Sequence, residues 1–389
     1  MECKDGFTVN HEIKSVFGVG CSAQVGETAR SLGIKRALLI CDAALAQLGL
    51  AEKVTGPLRE QGIAYKLYQD IRSEPASAQM NEIAALAREW QADGVIGLGG
   101  GSALDMAKGT GLLLSNPGQI EEYIGVNRGK RPIAKVAPVI LLPTTSGTSA
   151  EVTPVFVVSE SASGKKTGAV YRGSAALIDP EFMLGVPPFV TAFTGMDMLS
   201  HATESLTNPK PNPVSDLLDL EAIRLIFAYL PRAFANGADL EARTQLAYAG
   251  LLTGYAFADK GTHIGHSIAD KISNKYHYNH GLGCAMGLMA AIRYGAYKCP
   301  EQLRRIARAL ELPAANDPND LVLGQAVVAA YVALRRQLGL KSIREAGVEP
   351  EYIDFIIKTT PEDVRFKNKP WQPDYALAAQ ALWAEYEQD

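Results

Sequence analysis

A chain of 389 residues is long enough for two or three domains at roughly 150 residues each. Apolar residues make up 47% and charged residues 21%, and a net charge of −4 without a basic cluster argues against nucleic acid or an anionic membrane as the main partner. No apolar run approaches the ~20 residues of a membrane span, the N-terminus MECKDGFTVNHEIKS lacks the apolar core of a signal peptide, and five scattered cysteines (Cys3, Cys21, Cys41, Cys284, Cys299) form no CxxC pair, so a reducing, cytoplasmic setting is expected.

The first half alternates short β-rich runs with helical patterns. Residues 36–41 form a compact apolar run that ends at Asp42 and reads as a buried parallel strand. Residues 43–61 read as a helix interrupted at Gly56-Pro57, and 64–68 as a second strand. Residues 76–90 carry Ile83, Leu86, Ala87 and Trp90 at helical spacing. A strand over 93–98 then feeds Gly99-Gly100-Gly101-Ser102 and a helix over 103–114. Further strands are expected at 139–143 and 155–158, with a polar turn over 161–166. This rhythm predicts a parallel sheet covered on both faces. Beyond Gly185-Val186-Pro187-Pro188 the strand signals fade. Helices are expected over 216–230, 240–258, 285–297, 301–310 and 324–338, with the Pro-rich stretch 209–213 as a loop. The division expected is an α/β domain over 1–187 and an all-helical domain over 188–389.

Four groups of residues carry chemistry. Gly99, Gly100, Gly101 and Ser102 stand between a buried strand and a helix, where backbone N–H groups and the helix N-terminus suit a pyrophosphate. The stretch is not GxGxxG, and a plain turn is the alternative. Asp105 and Lys108 follow in the first two turns of that helix. Asp105 is either a first-turn acid or a group that shapes the cofactor site. Asp42, at a strand end, is either a ribose-binding carboxylate that favours NAD or an ordinary helix cap. The hydroxyl-rich run 143–152 either lines a cofactor or bonds its own backbone.

Five of the six histidines lie between Gly195 and Gly281. Asp197 and His201 are spaced i, i+4, which puts a carboxylate and an imidazole on one helical face, and His266 and Asp270 repeat the spacing. His280 sits where another helix could begin. Taken singly, each histidine could be an ordinary core or surface residue. The set Asp197, His201, His266 and His280 reads instead as a site for Fe(II), Zn(II) or another divalent ion such as Mn(II).

Read together, GGGSALDMAK, PTTSGTSAEVT, GMDMLSHATE and HSIADKISNKYHYNHG resemble the iron-containing (group III) alcohol dehydrogenases over nearly the whole chain. The resemblance implies an α/β dinucleotide-binding domain followed by a helical domain, with NAD and a divalent metal, typically iron, as cofactors. It places Asp197, His201, His266 and His280 on the metal-ligand positions and Gly99–Ser102 on the pyrophosphate loop. Thr144, Thr145 and Thr148 fall on the second cofactor loop, Asp42 on the position that often selects NAD, and Lys166 near a cofactor-contacting lysine. Two departures stand out. The usual GTGSE is here Gly147-Thr148-Ser149-Ala150-Glu151, and Asp270 replaces a histidine common in the family. Asp270, with His263 or His277, is expected to relay the proton released by the alcohol or to contact a polar substrate, the alternative being that it pairs with Lys271, Lys275 or a helix end. The activity implied is NAD(H)-linked interconversion of a small alcohol or diol with its aldehyde, in a homodimer or higher homo-oligomer. A zinc-dependent polyol dehydrogenase of the glycerol kind, and a metal- or nucleotide-binding protein without turnover, are the competing readings.

Overall fold

The computed structural model describes residues 6–71, 76–135, 137–363, 365 and 373–388; Cys3 lies outside them. The chain divides into two compact units, one of residues His11–Leu184, the other of Gly185–Asp389 together with the first residues of the chain.

The first unit is built on a six-stranded, all-parallel sheet: β1 (Lys14–Phe17), β2 (Arg36–Ile40), β3 (Ala64–Tyr68), β4 (Gly94–Gly99), β5 (Val139–Pro143) and, after two further strands, β8 (Ala175–Ile178), in the order β1-β8-β5-β4-β2-β3. Central strands β4, β5 and β8 are buried along their whole length, which accounts for continuous apolar runs rather than alternation. Helices α1 (Val25–Ser31), α2 (Ala43–Gln47), α3 (Leu50–Glu60), α4 (Ser77–Glu89) and α5 (Gly101–Ser115) connect the strands. Two apolar clusters form, one around Leu38, Val95, Leu104 and Leu141, the other around Leu39, Val54, Ile96 and Leu142. Alternate residues of β2, β4 and β5 thus feed opposite clusters.

The structure departs from the expected elements in several places, among them three in the sheet unit. The break between α2 and α3 falls at Gly49, whose φ of 77° turns the chain, whereas Pro57 lies inside α3. Strands β1 and β8 carry no sequence signal above that of any four-residue apolar patch. Residues 155–158 are not part of the parallel sheet. They belong to β6 (Val155–Ser159), which pairs antiparallel with β7 (Lys166–Val170) as a separate ribbon. Lys166 is therefore the first residue of a strand, not the end of a turn.

Buried charges fasten that ribbon to α5. Asp105 Oδ2 accepts a hydrogen bond from Val157 N (3.1 Å), and Lys108 Nζ donates to the carbonyls of Thr153 (3.0 Å) and Val155 (2.9 Å). Asp105 thus works as an anchor for β6, beyond either role its sequence position suggested.

The second unit is helical: α6 (Pro188–Thr207), α7 (Pro213–Ala235), α8 (Leu240–Lys260), α9 (Ile264–Tyr276), α10 (His280–Lys298), α11 (Pro300–Ala309), α12 (Asp320–Gln337), α13 (Pro350–Thr359) and α14 (Tyr375–Glu387). Residues 6–10 group with this unit and not with the sheet, and Asn212 Nδ2 donates to Thr8 O (3.2 Å). The core joins Met196, Leu199 and Leu206 of α6 to Ile223 and Ile226 of α7, Leu288 and Ile292 of α10 and Tyr331 of α12. Helix α10 meets α9 backbone to backbone. A Cβ on Gly283 would stand 2.6 Å from Ala269 O, and one on Gly287 2.3 Å from Gly265 O, so neither position tolerates a side chain.

Glu151 is buried near Lys108, which also faces Asp105. Burial pushes the Glu151 carboxyl up to about 7 and that of Asp105 up to about 6, and it pushes the Lys108 ammonium down to about 8; the opposite charges offset this only in part. Between 4.5 and about 7 the folded Glu151 holds a proton that the unfolded chain has released. Its contribution to stability is therefore complete below 4.5 and is lost as pH rises toward 7. Glu151→Gln, which has no proton to release, should flatten the fall in stability across that window by up to about 1.4 kcal/mol per pH unit, read from urea unfolding at a series of pH values. Two parallel stability curves would show that Glu151 titrates as it does in the unfolded chain.

Candidate functional site

In the sheet unit the parallel pairing of β2, β4 and β5 brings the expected cofactor residues to one edge. Gly99 faces Pro143 in register, so the loops after β4 and β5 leave the sheet side by side, and Thr144 N donates to Gly99 O (3.0 Å). Asp42 stands at the same, carboxyl end of β2, the end where open α/β sheets bind ligands. Gly100 occupies the N-cap of α5 with its N-terminus open. A Cβ on Gly101 would lie 2.8 Å from Thr148 Cγ2 and 3.0 Å from Thr148 Oγ1, and one on Gly100 would lie 3.5 Å from Thr145 Oγ1. The glycine loop and the threonine loop thus form one surface of backbone N–H groups and hydroxyls, and Ser102 lies in the first turn of α5. Ser149 has φ 52°, a left-handed conformation that suits glycine, at a position where the family pattern has glycine. Asp42 Oδ1 accepts from Leu45 N (3.0 Å), so the helix cap is formed; its half-buried carboxylate has a second oxygen for a ribose. Lys166 lies on the ribbon, half-buried and opposite Ser159.

In the helical unit α6, α9 and α10 converge on a group of donors. Asp197 comes from α6, His266 from α9, and His280 and Cys284 from successive turns of α10. One donor atom from each lies within 4.8 Å of the other three. Asp197 Oδ1 stands 3.8 Å from His266 Nε2 and 3.7 Å from His280 Nε2. His201 lies beside this group, its Nδ1 3.6 Å from Asp197 Oδ1 and its ring stacked on Phe257 at 4.3 Å. Asp197 Oδ1 and His201 Nδ1 are both buried with no hydrogen-bond partner among the described residues. Buried polar atoms are ordinarily paired, so a divalent cation is the partner that this donor chemistry fits. Burial pushes the His201 imidazole down to about 3. Burial alone would raise Asp197, but His201, His280 and His266 outweigh it and hold the carboxyl below its usual range. Burial, with Asp197 adding to it, raises the Cys284 thiol well above its ordinary value, a field whose sign a bound cation reverses.

Two carboxylates orient the imidazoles from behind. Glu204, fully buried on α6, accepts from His266 Nδ1 (2.6 Å) and His266 N (3.0 Å) through Oε1, and from His263 N (2.6 Å) and Gly265 N (3.1 Å) through Oε2. It caps α9 from another helix and fixes the tautomer that leaves His266 Nε2 facing Asp197. Asp270 Oδ1 does the same for His280 Nδ1 (3.3 Å), while its Oδ2 pairs with Arg365 Nη1 (2.5 Å). Burial would raise Asp270, but His280 and Arg365 hold it far below the carboxylate range.

The relay is expected of Asp270 with His263 or His277, and both histidines lie just outside α9, one at each end. His263 is not on the face of α9 that carries His266 and Asp270. It precedes the helix with φ −141° and ψ −123°, and its Nε2 lies 2.8 Å from Thr207 Oγ1 on α6. His277 is an exposed, left-handed residue that ends α9. Only Asp270 reaches a member of the donor group. Sequence reasoning missed Cys284, Glu204 and Arg365. The first two had a local signal: Cys284 is i+4 from His280, and Glu204 is i+7 from Asp197 on the same helical face. Arg365 had none.

Two family models together match most of the chain. The model for "Iron-containing alcohol dehydrogenase" matches residues 13–180 and that for "Fe-containing alcohol dehydrogenase family, C-terminal" residues 191–380. The NAD-dependent methanol dehydrogenase of Bacillus methanolicus is 34% identical over 363 residues, covering 92% of this chain and 93% of that protein. The solved alcohol dehydrogenase from Oenococcus oeni superposes with a TM-score of 0.90 at 27% identity, covering 98% of this chain and 100% of that one. The sulfoacetaldehyde reductase from Bifidobacterium kashiwanohense, solved in complex with NAD+, superposes with a TM-score of 0.88 at 25% identity, covering 99% of this chain and 100% of that one.

Glu204→Ala should leave the Nδ1 of His266 and three backbone N–H groups without their acceptor. The expected outcome is a loss of metal affinity of about 10–100-fold, measured by competition with a chromophoric chelator. Unchanged affinity would mean that the tautomer of His266 is set by something other than Glu204.

Proposed function

The chain belongs to the iron-containing alcohol dehydrogenase family, and we propose that it interconverts a small primary alcohol or diol with its aldehyde, using NAD(H) and one divalent metal ion. When bound, the ion supplies Lewis acidity to the alcohol or aldehyde oxygen, and the nicotinamide accepts or donates the hydride. The observation that carries this reading is Asp197 Oδ1, buried without a hydrogen bond and faced by the Nε2 atoms of His266 and His280. Asp197, His266 and His280 would hold the ion, with His201 as a further donor beside Asp197. Glu204 and Asp270 keep both imidazoles in place, so no reorganisation is needed when charge develops. The buried walls around Asp197 exclude water and strengthen that electrostatic setting. Asp270, bonded to Nδ1 of His280, is the one expected relay residue whose placement supports a part in the reaction. Its contact also suits a purely orienting role.

NAD would lie on the loops after β4 and β5. Its pyrophosphate would rest on Gly99, Gly100, Gly101 and Ser102, with Thr144, Thr145 and Thr148 alongside and Asp42 toward the ribose; Lys166 is retained as a contact from the ribbon. Among the described residues no helix is long and apolar enough to cross a membrane. The four described cysteines are free thiols, which supports a reducing, cytoplasmic setting. The exposed Leu217 and Val214 on α7 support a homo-oligomer, to be read by sedimentation.

The test is anaerobic purification with metal analysis, then an NAD-linked screen over simple alcohols, diols and short aldehydes. Turnover with at least one member of the panel, lost on removal of metal, is expected; retained metal and NADH binding with no turnover would leave only a binding protein.

Two substitutions test the nucleotide site. Gly101→Val should abolish NADH binding, because its side chain would displace Thr148; NADH titration by fluorescence that matches the parent protein would remove the loop from the site. Asp42→Gly should narrow the preference for NAD over NADP by about 1.5–3 kcal/mol, the worth of one charged hydrogen bond. An unchanged ratio of kcat/KM values would leave Asp42 as a helix cap alone.

A further inference from the structure

The helical unit holds an open cavity of about 150 Å³ between α10, α12 and α14, away from the donor group. Small residues make the space. Ala296 of α10, Gly324 of α12, and Ala381 and Ala384 of α14 line it, and Leu321 and Val328 of α12 complete an apolar wall. Arg293 lines the same space, 13 positions after His280 on α10 and so about 20 Å further along the helix axis. The other polar groups on the lining are neutral: the amides of Gln325, Gln380 and Gln388, and Tyr297. Among the described residues no carboxylate lines the cavity.

Behind Arg293, two guanidiniums share one carboxylate. Arg293 donates from Nε and Nη2 to Glu385 Oε2 (3.1 Å each), and Arg335 donates from Nη1 to Glu385 Oε1 (3.1 Å). Glu385 and Arg335 are buried, and with Arg293 they make two positive charges against one negative. The Nη1 of Arg293 makes no hydrogen bond among the described residues. Its pairing with Glu385 already holds the guanidinium in place, so a ligand does not have to order it. Apolar surroundings strengthen its attraction for an anion.

A positive edge among apolar walls suits an amphiphile with an anionic head. A carboxylate matches the donor edge of a guanidinium, and the glutamine amides can donate beside it. Size sets the rest, since a cavity of about 150 Å³ takes a molecule of roughly six carbon atoms. We propose that this cavity is a second binding site of the protein, for a short aliphatic monocarboxylate of about four to seven carbon atoms. The carboxylate takes the Nη1 edge of Arg293, and the hydrocarbon chain lies against Leu321, Val328 and Ala381. Neither metal nor nucleotide enters into this contact, so binding stands apart from turnover.

The experiment is calorimetric titration of the full-length protein with sodium acetate, butyrate and hexanoate at constant ionic strength. One equivalent of hexanoate per chain is expected, with affinity rising about fourfold for each CH2 buried. Arg293→Gln should weaken hexanoate binding by about tenfold or more, the worth of a hydrogen bond to a charged group. Ala384→Leu, which fills the cavity and keeps all three charges, should weaken it by a similar factor of about tenfold. Hexanoate that binds both variants as it binds the parent protein sits elsewhere, the donor group included, and overturns the proposal. An affinity that stays level from acetate to hexanoate overturns it as well. So does absence of uptake by the parent protein; an oligomer in sedimentation that Leu321→Asp dissociates would then assign the cavity to a contact between copies. Where Arg293→Gln folds poorly, Ala384→Leu decides.

Discussion

A single buried carboxylate governs the donor group. Glu204 projects from α6 with no exposure and is engaged by five donors: three backbone N–H groups at the start of α9, the imidazole of His266, and the hydroxyl of Ser200 one turn back on α6. Burying an ionised carboxylate costs several kcal/mol unless its lone pairs are filled. Here the filling groups are the N–H groups that the first turn of α9 leaves unsatisfied, together with the positive end of the helix dipole. Burial would raise Glu204, yet His266, His263 and these backbone donors hold it far below the usual range. Its charge is thus fixed. The same contact settles three things: where α9 begins, how α9 meets α6, and which nitrogen of His266 faces Asp197. The close backbone approach of α10, permitted by Gly283 and Gly287, then places His280 and Cys284 opposite.

The sheet unit follows a comparable economy of means. Parallel register alone sets the loops after β4 and β5 beside each other, since Gly99 is opposite Pro143. Residues 44 positions apart in sequence become one surface without any side chain being needed to steer them. The threonines take space that only glycine leaves, so neither loop is independent of the other. The β6–β7 ribbon, held to α5 by Asp105 and Lys108, shows the opposite strategy, in which buried charge satisfies backbone groups that no sheet partner reaches.

The sequence by itself determined the fold class, most of the elements and three members of the donor group. Alternation of short apolar runs with helical periodicity requires a parallel sheet, and i, i+4 spacing puts Asp197 with His201 and His266 with Asp270 on common helix faces whatever the rest of the chain does. These are local constraints, so the sequence carries them. The tertiary structure decided everything that depends on which surfaces meet. Val155–Ser159 leaves the sheet because the pairing partner of a short strand is a long-range choice. His263 departs from the face of His266 because the chain turns into α9 only at Ile264, where Glu204 receives it. Asp270 reaches His280 and Arg365 instead of its sequence neighbours Lys271 or Lys275, since the packing of α9 against α10 and the placement of residue 365 are not encoded by spacing along one helix. Cys284 joins the donors for the same reason. A residue's helical face is local information, but what stands opposite that face is fixed only when the helices pack.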